Sequence, residues 1–159
     1  HDENSWNGTV KERFGNASEA LLALSYLTPG MPLIYSGQEY DMSHRLKFFE
    51  KDSIPKIKNK VWPLLEKLAV LKSTHPALNG GKNPATLTLI ESGNPSVLSF
   101  KREKEDDTVA FVMNVSAEPQ QYQSIEAGSY IDAMTNDSFF SDGESLLTLE
   151  PWAYYILIK

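Results

Sequence analysis

The chain has 159 residues, of which 41% are hydrophobic and 23% charged, so it can bury a core and does not read as a disordered tail. Fifteen Lys and Arg against twenty-one Asp and Glu leave a net charge of −6. That balance argues against a broad basic face for nucleic acid and against a polybasic handle for a membrane surface. No apolar run reaches the roughly 18–20 residues that a membrane helix needs. Cysteine is absent, which excludes disulfides, thiolate nucleophiles and Cys-based zinc sites together.

The sequence opens on His1-Asp2 with no charged and apolar leader, and is expected to be a piece of something longer. Ala17, Ala20, Leu21, Ala23, Leu24 and Leu27 recur at helical spacing, with Asn16 or Ser18 as N-cap and Thr28-Pro29-Gly30 as the stop. Residues 31–35 form a short, nearly continuous apolar run, the pattern of a strand covered on both faces as in a parallel sheet. The polar stretch 38–56 predicts a long loop or a small helix. A second helix is predicted over 62–73, with Pro63 tolerated in its first turn and Leu64, Leu65, Leu68, Val70 and Leu71 buried. The Asn- and Gly-rich stretch 79–84 reads as a linker. Beyond it, turn signals recur about every ten residues and predict strands at 85–91, 96–102, 108–114, 120–125, 130–134, 145–149 and 152–158, an antiparallel sandwich. The charge run 101–107 is read as one of the separators. In the last strand Trp152, Tyr154 and Ile156 alternate with Ala153, Tyr155 and Leu157, so one set packs into the sandwich and the other faces out or against a neighbour.

The densest polar cluster is His1-Asp2-Glu3-Asn4, ahead of the first helix. A strand end feeding such a cluster into a loop is where an α/β barrel places its active site; the bland reading is a solvated terminal pair. Trp6 is the better candidate for an aromatic at a site rim. Glu39, just past the apolar run, reads either as a general acid or, more commonly, as a carboxylate holding a loop, and Gly37 as a turn residue. His1, His44 and His75 lie too far apart in sequence to spell a metal motif. Asp132, Asn136, Asp137, Asp142 and Glu144 could offer oxygens to calcium, although acidic turn residues are usually just solvated. No phosphate-binding glycine motif and no nucleophile elbow is present.

The ordered string is more specific than any of its parts. His1-Asp2-Glu3-Asn4-Ser5-Trp6, Glu12-Arg13-Phe14-Gly15, and Gly30-Met31-Pro32-Leu33-Ile34-Tyr35-Ser36-Gly37-Gln38-Glu39 resemble the C-terminal part of α-amylase-family glycoside hydrolases. The stretch Leu46-Lys47-Phe48-Phe49-Glu50-Lys51-Asp52, the run ending His75-Pro76-Ala77-Leu78, and the terminal Leu149-Glu150-Pro151-Trp152-Ala153-Tyr154 are similar to that family too. The resemblance implies an α+β fragment: residues 1–82 as the last βα units of a (β/α)8 catalytic barrel, and 83–159 as a C-terminal, antiparallel Greek-key β-sandwich. It implies that Asp2 is the third carboxylate, stabilising the oxocarbenium-like transition state, and that His1 binds the same ring of the substrate; Trp6, read above as a rim aromatic, is expected to bind substrate beside them. Gly37 and Glu39 fall on the strand-eight motif in a structural role.

The family's nucleophile and general acid precede the His-Asp motif, and neither lies in these residues. The expected function is therefore a part of a retaining enzyme cleaving α-1,4-glucosidic bonds of α-glucan or maltooligosaccharide, inactive by itself. From the residues no cofactor and no metal are expected in this chain, and by the resemblance any calcium belongs to the rest of the parent barrel. The expected partners exclude nucleic acid and membrane and include self-association through exposed barrel surface. Two alternatives stand beside this reading: a non-catalytic sandwich that binds carbohydrate or protein, and a related enzyme that transfers or isomerises glucosyl units.

Overall fold

The computed structural model describes residues 2–123 and 125–159. Four helices come first: α1 (Glu3–Trp6), α2 (Val10–Phe14), α3 (Ser18–Leu27) and α4 (Val61–Thr74). Eight strands follow: β1 (Thr86–Leu89), β2 (Val97–Lys104), β3 (Asp107–Asn114), β4 (Gln120–Tyr122), β5 (Gly128–Asp132), β6 (Ser138–Ser141), β7 (Leu147–Leu149) and β8 (Tyr154–Ile158). Six of them form one antiparallel sheet in the order β1-β2-β3-β8-β5-β6, and β4 pairs with β7 in a separate two-stranded ribbon.

The period-two alternation of the central strands decides the layering. Phe100, Val109, Phe111, Met113 and Ile156 point to one face, where they share a core with Ala20, Ala23 and Leu27 of α3 and Leu65, Leu68 and Leu71 of α4. Their neighbours Val97, Val112 and Leu157 point to the other face and pack against Tyr122, Ile125, Tyr130 and Leu149. Thus the six-stranded sheet carries helices on one side and the ribbon on the other. The last strand behaves as its sequence alternates: Tyr154 and Ile156 join the helical side, Tyr155 and Leu157 the ribbon side.

Polar contacts fasten the helices to the sheet. Arg102, on β2, donates from Nη1 to the Leu27 carbonyl and from Nη2 to the Asn79 carbonyl, both at 2.9 Å. Asp107, at the start of β3, accepts from the Ala77 amide at 2.8 Å and bonds His75 Nδ1 at 2.9 Å. Gly80 lies so close to Gly30 that a Cβ there would stand 2.9 Å from the Gly30 nitrogen. The absence of a side chain lets the linker pass the end of α3.

Val70, expected among the buried residues of the second helix, is exposed, because it falls off the stripe of Leu65, Leu68 and Leu71 that faces the sheet. Three further differences from the sequence reading have physical causes. Residues 31–35 form no strand: Met31 is 92% and Leu33 67% exposed. An apolar run becomes a covered strand only beside a hydrogen-bonded neighbour, and no described strand lies against it. The charge run 101–107 is not a separator but the hairpin itself, with Lys101–Lys104 paired in β2 and only Glu105-Asp106 turning, Glu105 at φ 56°. The strand β6 has no counterpart in the sequence reading, because Phe139 and Phe140 sit among turn-forming Asn, Asp, Ser and Gly; Phe140 is exposed at this sheet edge. In the polar stretch 38–56 the regular structure among the described residues is one 3-10 turn, Gln38–Tyr40.

Candidate functional site

The chain's N-terminal residues are held against the loop at 44–52. Thr9 caps α2 reciprocally: its hydroxyl accepts from the Glu12 amide at 3.2 Å, and Glu12 Oε2 accepts from the Thr9 amide at 2.7 Å. The same Glu12 carboxylate takes Arg45 Nε at 3.1 Å. The Arg45 hydrogen bond, followed by the Thr9 amide, holds this carboxyl below the usual range. Asn4 Oδ1 accepts from the Leu46 amide at 2.7 Å, and Asp52 closes its loop by accepting from the Lys47 and Ser53 amides at 3.0 and 2.7 Å. These amides, Lys47 first, lower the Asp52 pKa.

These tethers assemble an aromatic platform. Trp6 is 50% exposed, and its ring centroid lies 4.7 Å from Phe48 and 5.9 Å from Phe49. Phe48 and Phe49 meet edge to face at 5.0 Å. Asp2 precedes α1 directly, its carbonyl accepts from the Ser5 amide at 3.1 Å, and its side chain caps no helix amide. Asp2 and Trp6 thus bracket one helical turn, a half-buried carboxylate and an exposed aromatic face. His1 lies outside the described residues. Phe48 and Phe49 are the members the residue reading missed; two consecutive aromatics inside a charged loop were the available signal.

Glu39 closes its own turn. Its Oε2 accepts from the Gly37 amide at 2.8 Å, and Gln38 Oε1 accepts from the Tyr35 amide at 3.2 Å. Gly37 has φ 94°, and a Cβ there would approach Met42 Cε to 2.8 Å, so only glycine fits. The acidic residues at 132–144 also serve turns: Asp132 Oδ1 accepts from the Met134 amide, and Asp142 accepts from the Glu144 and Ser145 amides and the Ser145 hydroxyl. The Ser145 hydroxyl and these amides hold the Asp142 carboxyl down at about 2. Among the described residues no group of three or more His, Asp or Glu side chains converges to hold a metal ion.

Residues 87–156 match the family model of the maltogenic amylase C-terminal domain. No curated protein matches the sequence. Among solved structures, AmyP in complex with maltose is similar at 17% identity and a TM-score of 0.68, over 92% of this chain and 37% of that one. A noncanonic maltogenic α-amylase, AmyB from Thermotoga neapolitana, is similar at 18% identity and a TM-score of 0.73, over 90% and 36%. The trehalulose synthase MutB from Pseudomonas mesoacidophila MX-45 is similar at 18% identity and a TM-score of 0.66, over 94% and 41%. At these identities the structural likeness establishes the fold, and the chain spans well under half the length of each. Family match and fold together are consistent with a C-terminal part of an α-amylase-family enzyme.

Proposed function

We propose that the chain is the C-terminal part of a retaining, α-glucan-active hydrolase of the α-amylase family, with residues 1–82 as the end of its catalytic barrel and 83–159 as its C-terminal sandwich. One observation carries this reading. The family match is confined to 87–156, yet the structural alignments extend over about nine-tenths of the chain. The alignments thus take in most of the residues ahead of the matched domain, which supports reading them as the barrel end. Solved neighbours are complexed with maltose and maltotriose, which supports a maltooligosaccharide as the substrate here.

In this reading Asp2 is the carboxylate that bonds sugar hydroxyls as the ring flattens. Such contacts favour the oxocarbenium-like transition state over the ground state. His1 bonds the same ring, and Trp6 offers an apolar face to a glucosyl unit. Retaining hydrolysis further needs a nucleophile and a general acid about 5–5.5 Å apart; by the resemblance both lie ahead of His1 in the parent. The exposed Met31, Leu33 and Ile34 are the surface on which the remainder of the barrel seats, or a second copy when the chain is alone.

The isolated chain is expected to release no reducing sugar from starch. Turnover that co-purifies with it through successive columns would overturn the reading. The likeness to a trehalulose synthase favours a second version, in which the parent rearranges or transfers glucosyl units. Product analysis of the parent on sucrose and maltotriose separates the two.

A further inference from the structure

The ribbon side of the six-stranded sheet is only half covered. Next to the ribbon, the face of β2 and β3 opens into a cleft of about 220 Å³. Its floor is made by Ser99, Ala110 and Val112, and its wall by Tyr122, Ile125 and Tyr130. We infer that this cleft is a carbohydrate-binding site, separate from the Asp2 region, that takes a neutral hexose ring of an α-glucan.

A buried hydroxyl pair lies at the base of the cleft. Ser99 Oγ and Tyr122 OH lie 2.5 Å apart, and both residues are buried. Two hydroxyls joined by one hydrogen bond use one of their two protons between them. The accepting hydroxyl keeps a proton with no other hydrogen-bond acceptor among the described residues, and both side chains line the cleft. A ligand with acceptor oxygens pairs that proton; a purely apolar ligand leaves it unpaired.

Charge at the rim selects against ions of either sign. Around the rim Lys101 and Lys159 face Glu103, Asp106 and Glu126, two cations against three carboxylates. Lys101 is already engaged, 2.9 Å from Glu126 and 3.3 Å from Glu103. Lys159 Nζ lies 5.6 Å from the centre of the Tyr130 ring. A phosphate or carboxylate ligand would meet the three carboxylates, and a cation would compete with two lysines. The floor, by contrast, is small: Ala110 stands where its strand neighbours on the same face are larger, and leaves room over the sheet. An uncharged ring with one apolar face for Tyr130, Val112 and Ile125 and a hydroxyl edge for Ser99, Tyr122 and the paired charges matches these walls.

The test is a titration of the 159-residue chain with maltotriose, followed by amide NMR. Saturable shifts are expected at Ser99, Lys101 and Ala110. Ala110→Phe fills the floor and should abolish them, and Tyr122→Phe should weaken binding by about two- to tenfold, the worth of one hydrogen bond. The inference is overturned if the native chain shows no saturable shift at these amides. It is equally overturned if a folded Ala110→Phe binds as the native chain does. Should that variant fail to fold, unchanged affinity in Tyr122→Phe overturns it. Only the choice of an α-glucan probe rests on the proposed function. A parent that keeps its turnover as Asp2→Asn would defeat the catalytic reading and leave these shifts in place.

Discussion

The guanidinium of Arg102, in the middle of the sheet, donates at 2.9 Å to the carbonyl of Leu27, the last residue of α3. The last carbonyls of a helix have no partner within it and carry the negative end of its dipole. Here two cations serve them: Arg102, fully buried, and Lys72, whose Nζ donates to the Tyr26 carbonyl at 2.7 Å. Burial lowers the pKa of both, and for Lys72 the nearby Arg102 charge adds to it. Arginine nevertheless stays charged at any working pH. The sheet thus grips the very point where the chain leaves α3 for residues 31–39.

Arg102→Met removes both donors and leaves the Leu27 carbonyl unpaired in the interior, while the Asn79 carbonyl keeps the Ala85 amide at 3.0 Å. Urea unfolding should show a loss of about 2–4 kcal/mol of stability, with Arg102→Lys in between. A change below about 0.5 kcal/mol, the usual scatter of surface substitutions, would contradict the clamp.

The Asp142 carboxyl accepts the Ser145 hydroxyl at 2.6 Å and the Ser145 and Glu144 amides at 2.7 and 2.9 Å, and titrates near 2 against an ordinary 3.8. A depressed carboxyl pKa contributes stability that is present above the unfolded value and fades as pH falls through the folded one. The turn at 142–145 should therefore loosen between about pH 4 and 2. Carbon-detected NMR titration should place the Asp142 midpoint near 2, and Ser145→Ala should raise it. A midpoint at 3.8 in the native chain would contradict the hydrogen-bonded turn.

Tyr154 behaves in the opposite sense. Burial, with help from the Glu19 and Asp132 charges, pushes its phenol from 10.0 up to about 12. Between those values the unfolded chain has lost the proton and the folded chain keeps it, so stability is full below pH 10 and declines as pH rises toward 12. Burial raises Tyr26, Tyr122 and Tyr130 as well, so ultraviolet titration should show several tyrosines ionising late, and Tyr154→Phe should remove the one near 12 and flatten the alkaline loss of stability. Normal ionisation of all seven tyrosines would contradict the packing of Tyr154 against Phe111.

How far the sequence speaks depends on whether a signal is local. The helix at 61–74 and the alternation of 154–158 are written in apolar spacing, and both are found within a residue or two of where that spacing puts them. The run 31–35 carries an equally clear apolar signal but no strand, because a ladder depends on a neighbour that spacing does not encode. Arg102 shows the same limit from the other side. By sequence it falls where the predicted strand 96–102 overlaps the charged separator, and only the β2 register turns it inward between Lys101 and Glu103, both on the other face. Trp6 was legible as a rim aromatic. Its stacking on Phe48 and Phe49 was not, since it depends on the Glu12–Arg45 and Asn4–Leu46 tethers across more than thirty residues.

Asp2 is proposed as the transition-state carboxylate of an α-glucan-active parent. The most direct measurement compares maltotriose turnover by a polypeptide in which residues 1–159 follow the rest of the barrel, as native and as Asp2→Asn. Asp2→Asn is expected to lower kcat by about 10²–10³-fold, the scale of losing a preorganised electrostatic contact to the reacting ring, with the fold intact by circular dichroism. A variant that is folded and turns over at close to the native rate would contradict it.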